Sequence, residues 1–354
     1  MKQTSTDALH TLIPRFRGAK ILVVGDLILD EFVWGKVSRI SPEAPVPVVW
    51  VESESVMPGG SANVANNIRS LGGQVTLVGI VGEDQWGSAL LADLAARKID
   101  TSGVLKSPRP TTVKTRVIAH HQQVVRVDRE QRTPLPIALG ERLIKAIEER
   151  IEQVDALIIE DYGKGVVTRA LLEAVIPLAR SHQKIVTVDP KEEHFELYRG
   201  VTALTPNRME AGEAVGRELE SDDDVERAGR EILRRLACEA VLITLGEDGM
   251  CLLETQGRVV RIPTVAQEVF DVAGAGDTVI ATFTLALAGG ATMEQAARMA
   301  NYAAGIVVGK LGVAVATSEE LLARMRPRRG ERRGQDDQAV RPRRVAASRK
   351  NRWS

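Results

Sequence analysis

A stretch reading Asp271-Val-Ala-Gly-Ala-Gly-Asp277, followed directly by Thr278-Val-Ile-Ala-Thr-Phe, carries the strongest chemical signal in the chain. Small residues let a backbone approach an anion closely. A helix that starts there aims its unpaired N–H groups and positive dipole end at that anion. Asp277 then falls in the first turn, beside a bound phosphate. Phosphoryl transfer needs positioning, charge stabilisation and one group to take the nucleophile's proton. On this reading Asp277 is the base, and the N–H groups of Gly274, Ala275 and Gly276 form the anion hole. The same residues also suit a tight loop with a helix-capping aspartate.

Three further stretches could hold a polar ligand. In Pro58-Gly-Gly-Ser-Ala-Asn63, Gly59 and Gly60 admit a sugar to the main chain, and Asn63 can both donate to and accept from hydroxyls. In Gly25-Asp26-Leu-Ile-Leu-Asp30, Asp26 ends the first apolar run, where ligands of open parallel sheets gather. Asp30 is the weaker candidate of the two. In Thr205-Pro-Asn207-Arg-Met-Glu210, Asn207 and Glu210 are three apart, so they share a helix face and can organise the waters of Mg²⁺ around phosphates. An Asx turn with a first-turn carboxylate fits the same spacing.

These residues must be held by something. Short β-branched runs at 20–25, 75–80, 156–160, 184–189, 203–205 and 240–244 alternate with amphipathic stretches at 61–71, 85–97, 138–151, 168–181, 222–236, 276–288 and 293–308. Such alternation predicts parallel strands joined by crossover helices. Residues 31–54 and 111–128 read as extended without intervening helices, which predicts a small second sheet able to cover a ligand.

The chain has 354 residues, 44% hydrophobic and 3% aromatic, enough for a full core built from aliphatic side chains. Residues 324–354 hold 12 Arg or Lys against 3 Asp or Glu, so this stretch carries +9 in a chain of zero net charge. We expect one domain over 1–323 and a basic, disordered tail over 324–354. Tail aromatics are confined to Trp353, so nucleic acid is not an expected partner. Cys238 and Cys251 are expected to be buried free thiols. No apolar stretch reaches about 18 residues and the N-terminus lacks a secretory pattern, so the expected setting is cytoplasmic, without a membrane partner.

In combination, the Gly-Gly-Ser-Ala-Asn, Thr-Pro-Asn-x-x-Glu and Asp-x-x-Gly-Ala-Gly-Asp stretches resemble the ribokinase, or PfkB, family of sugar kinases, in its order and approximate spacing over residues 20–320. The resemblance implies a ribokinase-like α/β three-layer sandwich with a mainly parallel central sheet and a small β lid. It also implies ATP-dependent phosphorylation of a sugar hydroxyl with Mg²⁺. By motif it assigns Asp277 as base, Gly274 to Gly276 as anion hole, Asp26, Gly60 and Asn63 to the sugar, and Asn207 and Glu210 to the phosphates and Mg²⁺. Thr244-Leu-Gly246-Glu-Asp-Gly249 resembles the family's nucleotide loop, and Asn301 its adenine-side helix. Members often bind a monovalent cation such as K⁺ near the residue matching Asp271, and the extended segments imply a lid and a homodimer contact.

A narrower resemblance, to the heptose 7-phosphate kinases of lipopolysaccharide core synthesis, rests on stretches around Arg39, Gln122-Gln123 with Arg126 and Asp128, Asp189-Pro-Lys191, Tyr198-Arg-Gly200 and Val308-Gly-Lys-Leu-Gly312. It implies a phosphosugar substrate, whose existing phosphate needs a cation away from the transfer site. Arg39, Lys114, Arg116, Arg126 and Lys191 are the candidates, and a solvated surface charge suits Lys114 more than Arg116. Many relatives carry a C-terminal nucleotidyltransferase with a His-x-Gly-His motif, which this sequence lacks, so no adenylyl transfer is expected of it. His120-His121 departs from a more basic pair in the bifunctional relatives. Adjacent residues of a strand face opposite sides, so the two imidazoles are not expected to share a metal.

Overall fold

Lys20–Gly25 (β1) reads Lys-Ile-Leu-Val-Val-Gly, and every residue after Lys20 is buried. A strand apolar on both faces belongs inside a parallel sheet with helices on each side. The computed structural model, which describes residues 9–325 apart from 121, 134 and 267, has that sheet. The remaining strands are Leu27–Ile40 (β2), Pro47–Gly60 (β3), Gln74–Gly82 (β4), Asp100–Ser107 (β5), Thr112–Ala119 (β6), Gln122–Arg129 (β7), Ala156–Glu160 (β8), Ile185–Asp189 (β9), Ala203–Leu204 (β10), Ala240–Thr244 (β11), Met250–Glu254 (β12) and Val259–Ile262 (β13). The large sheet runs β13-β12-β11-β10-β9-β8-β1-β4-β5. It is parallel from β11 through to β5, and β12 and β13 close it antiparallel.

The helices are Ser61–Ser70 (α1), Gln85–Ala96 (α2), Ile137–Ile151 (α3), Arg169–Ser181 (α4), Arg208–Val215 (α5), Asp222–Leu236 (α6), Ala275–Ala288 (α7), Met293–Val307 (α8) and Ser318–Arg324 (α9). Alternation along β1 divides the core in two. Ile21 and Val23 pack with Ile68 of α1, Phe283 of α7 and Ala300 of α8. Leu22 and Val24 pack with Leu143 of α3, Val175 of α4 and Ile232 of α6. The result is a three-layer α/β sandwich. Helix α7 is buried without a break from Asp277 to Leu287, as a helix apolar all round must be. Its placement under the sheet carries the Gly-rich stretch to the carboxyl ends of the strands.

A second sheet, β3-β2-β6-β7, is formed by the segments expected to be extended. Strand β2 follows β1 after the single residue Asp26, begins buried and ends exposed. Strands 20–25, 156–160 and 240–244 fall where expected and the other expected strands lie within two residues. Strand β5 and the β12–β13 pair were not anticipated. The expected domain limit at 323 falls inside α9, and Met325 beyond it is buried. The expected tail past 325, and His121, lie outside the described residues. Cys238 and Cys251 are buried and free. Among the described residues no helix is long and apolar enough to cross a membrane.

Candidate active site

The carboxyl ends of β8, β9 and β11 and the starts of α5 and α7 converge on a cavity of about 540 Å³, lined among others by Asp189, Asn207, Glu210, Thr244, Gly276 and Asp277. A cavity of about 620 Å³ at the opposite edge of the sheet, between Lys20, Arg69 and Arg150, holds none of the signature residues.

Gly274 caps α7 with φ at 75°, and a Cβ there would come within 2.8 Å of Asn63 Nδ2, so the position requires glycine. Asp277 follows in the first turn, 4% exposed. Its Oδ2 accepts from Asn63 Nδ2 at 2.6 Å and its Oδ1 from the Tyr162 hydroxyl at 2.8 Å. Burial lifts the Asp277 pKa, while these two donors hold it down. Burial and the Asp277 charge push the Tyr162 phenol far up, so Tyr162 only donates. The carboxylate is thus desolvated, fixed in orientation and able to accept a proton. Of the expected anion-hole donors, the Ala275 N–H is taken by the Val272 carbonyl at 3.2 Å, whereas Gly274 and Gly276 face the cavity.

Two residues assigned to the sugar have partners within the protein. The Asn63 amide donates to Asp277, and Asn67 Nδ2 in turn reaches Asn63 O at 3.0 Å. The Asp26 carboxylate is 1% exposed and accepts the backbone N–H groups of Tyr162, Lys164 and Val166 at 3.0–3.1 Å. Burial raises its pKa to about 6 against the pull of those donors. Asp26 therefore fixes the loop that presents Tyr162. Asp30 pairs with Arg116, and its charge raises the Asp277 pKa. Gly59 leaves room for it, because a Cβ there would strike Asp30 Oδ2, and a Cβ at Gly60 would come within 2.6 Å of the Asp26 carbonyl.

The expected phosphate clamp is not a single cluster. Arg116 and its cross-strand partner Arg126 share a lid face with Lys114, whose Nζ stands 5.0 Å from the centroid of the Tyr162 ring. Lys114 is thus brought beside Tyr162, and burial lowers its pKa. Arg126 is held by Asp128 through two bonds of 2.9 and 3.0 Å. Arg39 is exposed nine residues beyond Asp30 on β2, roughly 30 Å away at about 3.3 Å per residue, and lies outside the cluster. Lys191 lines the cavity on the other side, where its charge acts on Glu210.

At the start of α5, Asn207 and Glu210 form a capping box, with Glu210 Oε2 accepting the Asn207 N–H at 2.8 Å. Asn207 also bridges to Thr244. Gly246 and Gly249, at φ 62° and 90°, shape the tight turn into β12. Asn301 is 4% exposed and its amide donates to the Pro263 carbonyl at 2.8 Å, which ties α8 to the strand end. Asp271 accepts the N–H groups of Ala273 and Gly312, joining two loops beside α7.

The pfkB family carbohydrate kinase pattern matches residues 19–320. The chain belongs to that family. As a PfkB kinase it is an ATP-dependent carbohydrate kinase acting on small-molecule sugars. It is 44% identical over 320 residues to a protein of Paramagnetospirillum magneticum named bifunctional protein HldE, covering 90% of this chain and 66% of that one. A Helicobacter pylori protein of the same name is 46% identical over 303 residues, 85% of this chain and 65% of that one. The chain thus spans about two thirds of the length of these relatives. Its fold matches phosphofructokinase-2 from Escherichia coli in complex with substrates and products at a TM-score of 0.74, 22% identity, 87% of this chain and 98% of that one. Arabidopsis thaliana ribokinase complexed with ribose and ATP matches at 0.71, 18% identity, 88% and 99%.

Sequence reasoning on this PfkB kinase did not single out Glu160, Asp161 or Tyr162. Their signal is present, since Glu160 ends the expected strand at 156–160 and Asp161-Tyr-Gly-Lys-Gly165 directly follows it, where ligands of parallel sheets gather.

Proposed function

We propose that this kinase transfers the γ-phosphate of ATP to the anomeric hydroxyl of D-glycero-β-D-manno-heptose 7-phosphate, giving the 1,7-bisphosphate for lipopolysaccharide core synthesis. The observation that carries the reading is the lid face above Asp277. There three cations, Lys114, Arg116 and Arg126, outnumber the two carboxylates paired to them, Asp30 and Asp128. An unphosphorylated sugar has no use for the surplus charge, whereas a phosphosugar does. Likeness to proteins named HldE supports the same choice.

In this mechanism Asp30, with Gly59 and Gly60, holds sugar hydroxyls, and the lid cations hold the existing phosphate. Asp277 accepts the proton of the attacking hydroxyl at a carboxylate oxygen, while Asn63 and Tyr162 keep that carboxylate in place. The N–H groups at the start of α7, Gly276 foremost, stabilise charge on the transferring phosphoryl group. Glu210 fits Mg²⁺ through water, because its capping bond uses one oxygen and leaves the other to the cavity. When bound, the ion neutralises the β- and γ-phosphates. Asp271 fits a monovalent cation, since each oxygen accepts one N–H and retains a lone pair. The lid also serves as a homodimer contact.

An ADP-release assay over heptose, heptose 7-phosphate and other phosphosugars, with potassium or sodium as the only monovalent cation, tests this reading. Two charge-assisted bonds of roughly 1.5 to 3 kcal/mol each give about 10² to 10⁴-fold preference for the phosphorylated heptose. Asp277→Asn is expected to lower turnover about 10² to 10⁴-fold. Equal kcat/KM for the two heptoses would remove the phosphate clamp.

A further inference from the structure

Tyr198-Arg-Gly200 is one of the stretches behind the narrower resemblance, yet none of its residues lines the cavity around Asp277. Tyr198 follows the 3₁₀ turn Glu192–Leu197 and is fully buried, its ring edge-on to that of Phe195 with 6.3 Å between centroids. A buried phenol needs partners for its hydroxyl. This one donates to Asp161 Oδ2 at 2.7 Å and accepts the Lys191 N–H at 3.2 Å. Burial and the Asp161 charge push the phenol pKa far up, so the hydroxyl keeps its proton.

The two partners belong to different strand ends. Asp161 directly follows β8, where its Oδ1 accepts the Gly163 N–H at 2.9 Å, and Lys191 comes two residues after β9. One hydroxyl thus joins both loops. The join continues toward the cavity: Gly163 has φ at 64°, and a Cβ there would stand 3.6 to 3.9 Å from Lys191 Cγ, Cδ and Cε. The Lys191 stem therefore lies along Gly163 where both line the cavity. Burial raises the pKa of Glu210 there, and the Lys191 charge opposes that rise. Without the hydroxyl, Asp161 Oδ2 would keep His194 Nδ1 at 2.6 Å. The Lys191 N–H has no second acceptor among the described residues, so the loss would fall on Lys191.

We propose that Tyr198 is a positioning residue for phosphoryl transfer: its hydroxyl fixes the main chain of Lys191 against the loop after β8, so that the Lys191 ammonium meets the nucleotide phosphates beside Glu210. A lysine is a point charge on a flexible four-carbon stem, and a fixed root with a packed stem gives that charge one place. The inference rests on the nucleotide entering on the Glu210 side. It does not depend on which sugar is phosphorylated, so it stands or falls apart from the heptose assignment.

The test is calorimetric binding of a non-hydrolysable ATP analogue with Mg²⁺, without sugar, to the full chain as wild type, Tyr198→Phe, Lys191→Met and the double variant. Tyr198→Phe keeps the ring and removes only the hydroxyl. Each single change should weaken binding about tenfold, as losing roughly one charge-assisted contact would. The double variant should bind no more weakly than Lys191→Met alone, because the hydroxyl acts through that side chain. Thermal unfolding checks that the variants fold. Should Tyr198→Phe not fold, amide exchange in the wild type carries the test: a protected Lys191 amide is expected, and exchange at the rate of a free peptide would overturn the proposal. Wild-type affinity in Tyr198→Phe, or the same tenfold loss repeated in the Lys191→Met background, would overturn it as well. Wild-type affinity in Lys191→Met would remove the ammonium from the phosphates, and a wild type that binds no analogue would overturn the nucleotide reading and the proposal with it.

Discussion

Asp277 is under two opposed influences. Burial raises its pKa, and the donors Asn63 and Tyr162 lower it. The base form is present above that raised pKa and is lost as pH falls through it, so kcat/KM should have an acid limb above the ordinary carboxylate value of 3.8. Tyr162→Phe removes one donor to the charged form. Such a bond contributes roughly 1.5 to 3 kcal/mol, and 1.36 kcal/mol equals one pH unit. The acid limb should therefore move up by about one unit or more, together with a loss of kcat. A pH–rate profile of the variant decides it: a lower kcat with an unmoved limb would mean that Tyr162 merely packs.

At the scale of elements, the loop after β8 is held from two sides. Asp26 takes its N–H groups from below, and Asp161 is anchored by His194 Nδ1 at 2.6 Å and the Tyr198 hydroxyl at 2.7 Å. The bond to Asp161 raises the His194 pKa above its ordinary 6.5. A raised folded-state pKa contributes stability that is fully present below 6.5 and is lost as pH rises through the raised value. The Tm gap between wild type and His194→Ala should thus be widest in mild acid and narrow in alkali. A gap independent of pH would show that the charge contributes nothing. This loop also marks the limit of what the sequence reveals. The strand ends and the Gly-rich helix start are legible because their signals are local in composition and period. That Asp26 is held by a loop 136 to 140 residues later is a long-range contact with no local signature. Lys114 and Arg39 illustrate the same point: identical charge, opposite fates, decided by position along a strand and not by type.

At the scale of the whole molecule, the lid carries more apolar surface than one chain covers. Along β6, Lys114 and Arg116 alternate with Thr115 and Val117, so the cations face one way and Val117 the other. The cross-strand partners of Thr115 and Val117 are Val127 and Val125, both exposed, and β7 is exposed along its whole length. On β3, Trp50 is 74% exposed. An exposed outer strand with apolar side chains invites a partner, and a second copy of this chain offers the same surface. Burying it would also stiffen the sheet that carries Asp30 and Arg116. The wild type should therefore be a dimer by light scattering, and Val125→Asp, which places an unpaired charge in the contact, should be monomeric. Because Asp30 and the lid cations sit on the same strands, the monomer should show a raised KM for the sugar with KM for ATP unchanged. A wild type that is monomeric at every concentration, or a Val125→Asp variant that remains dimeric, would remove the lid as the dimer contact and leave its valines to some other partner.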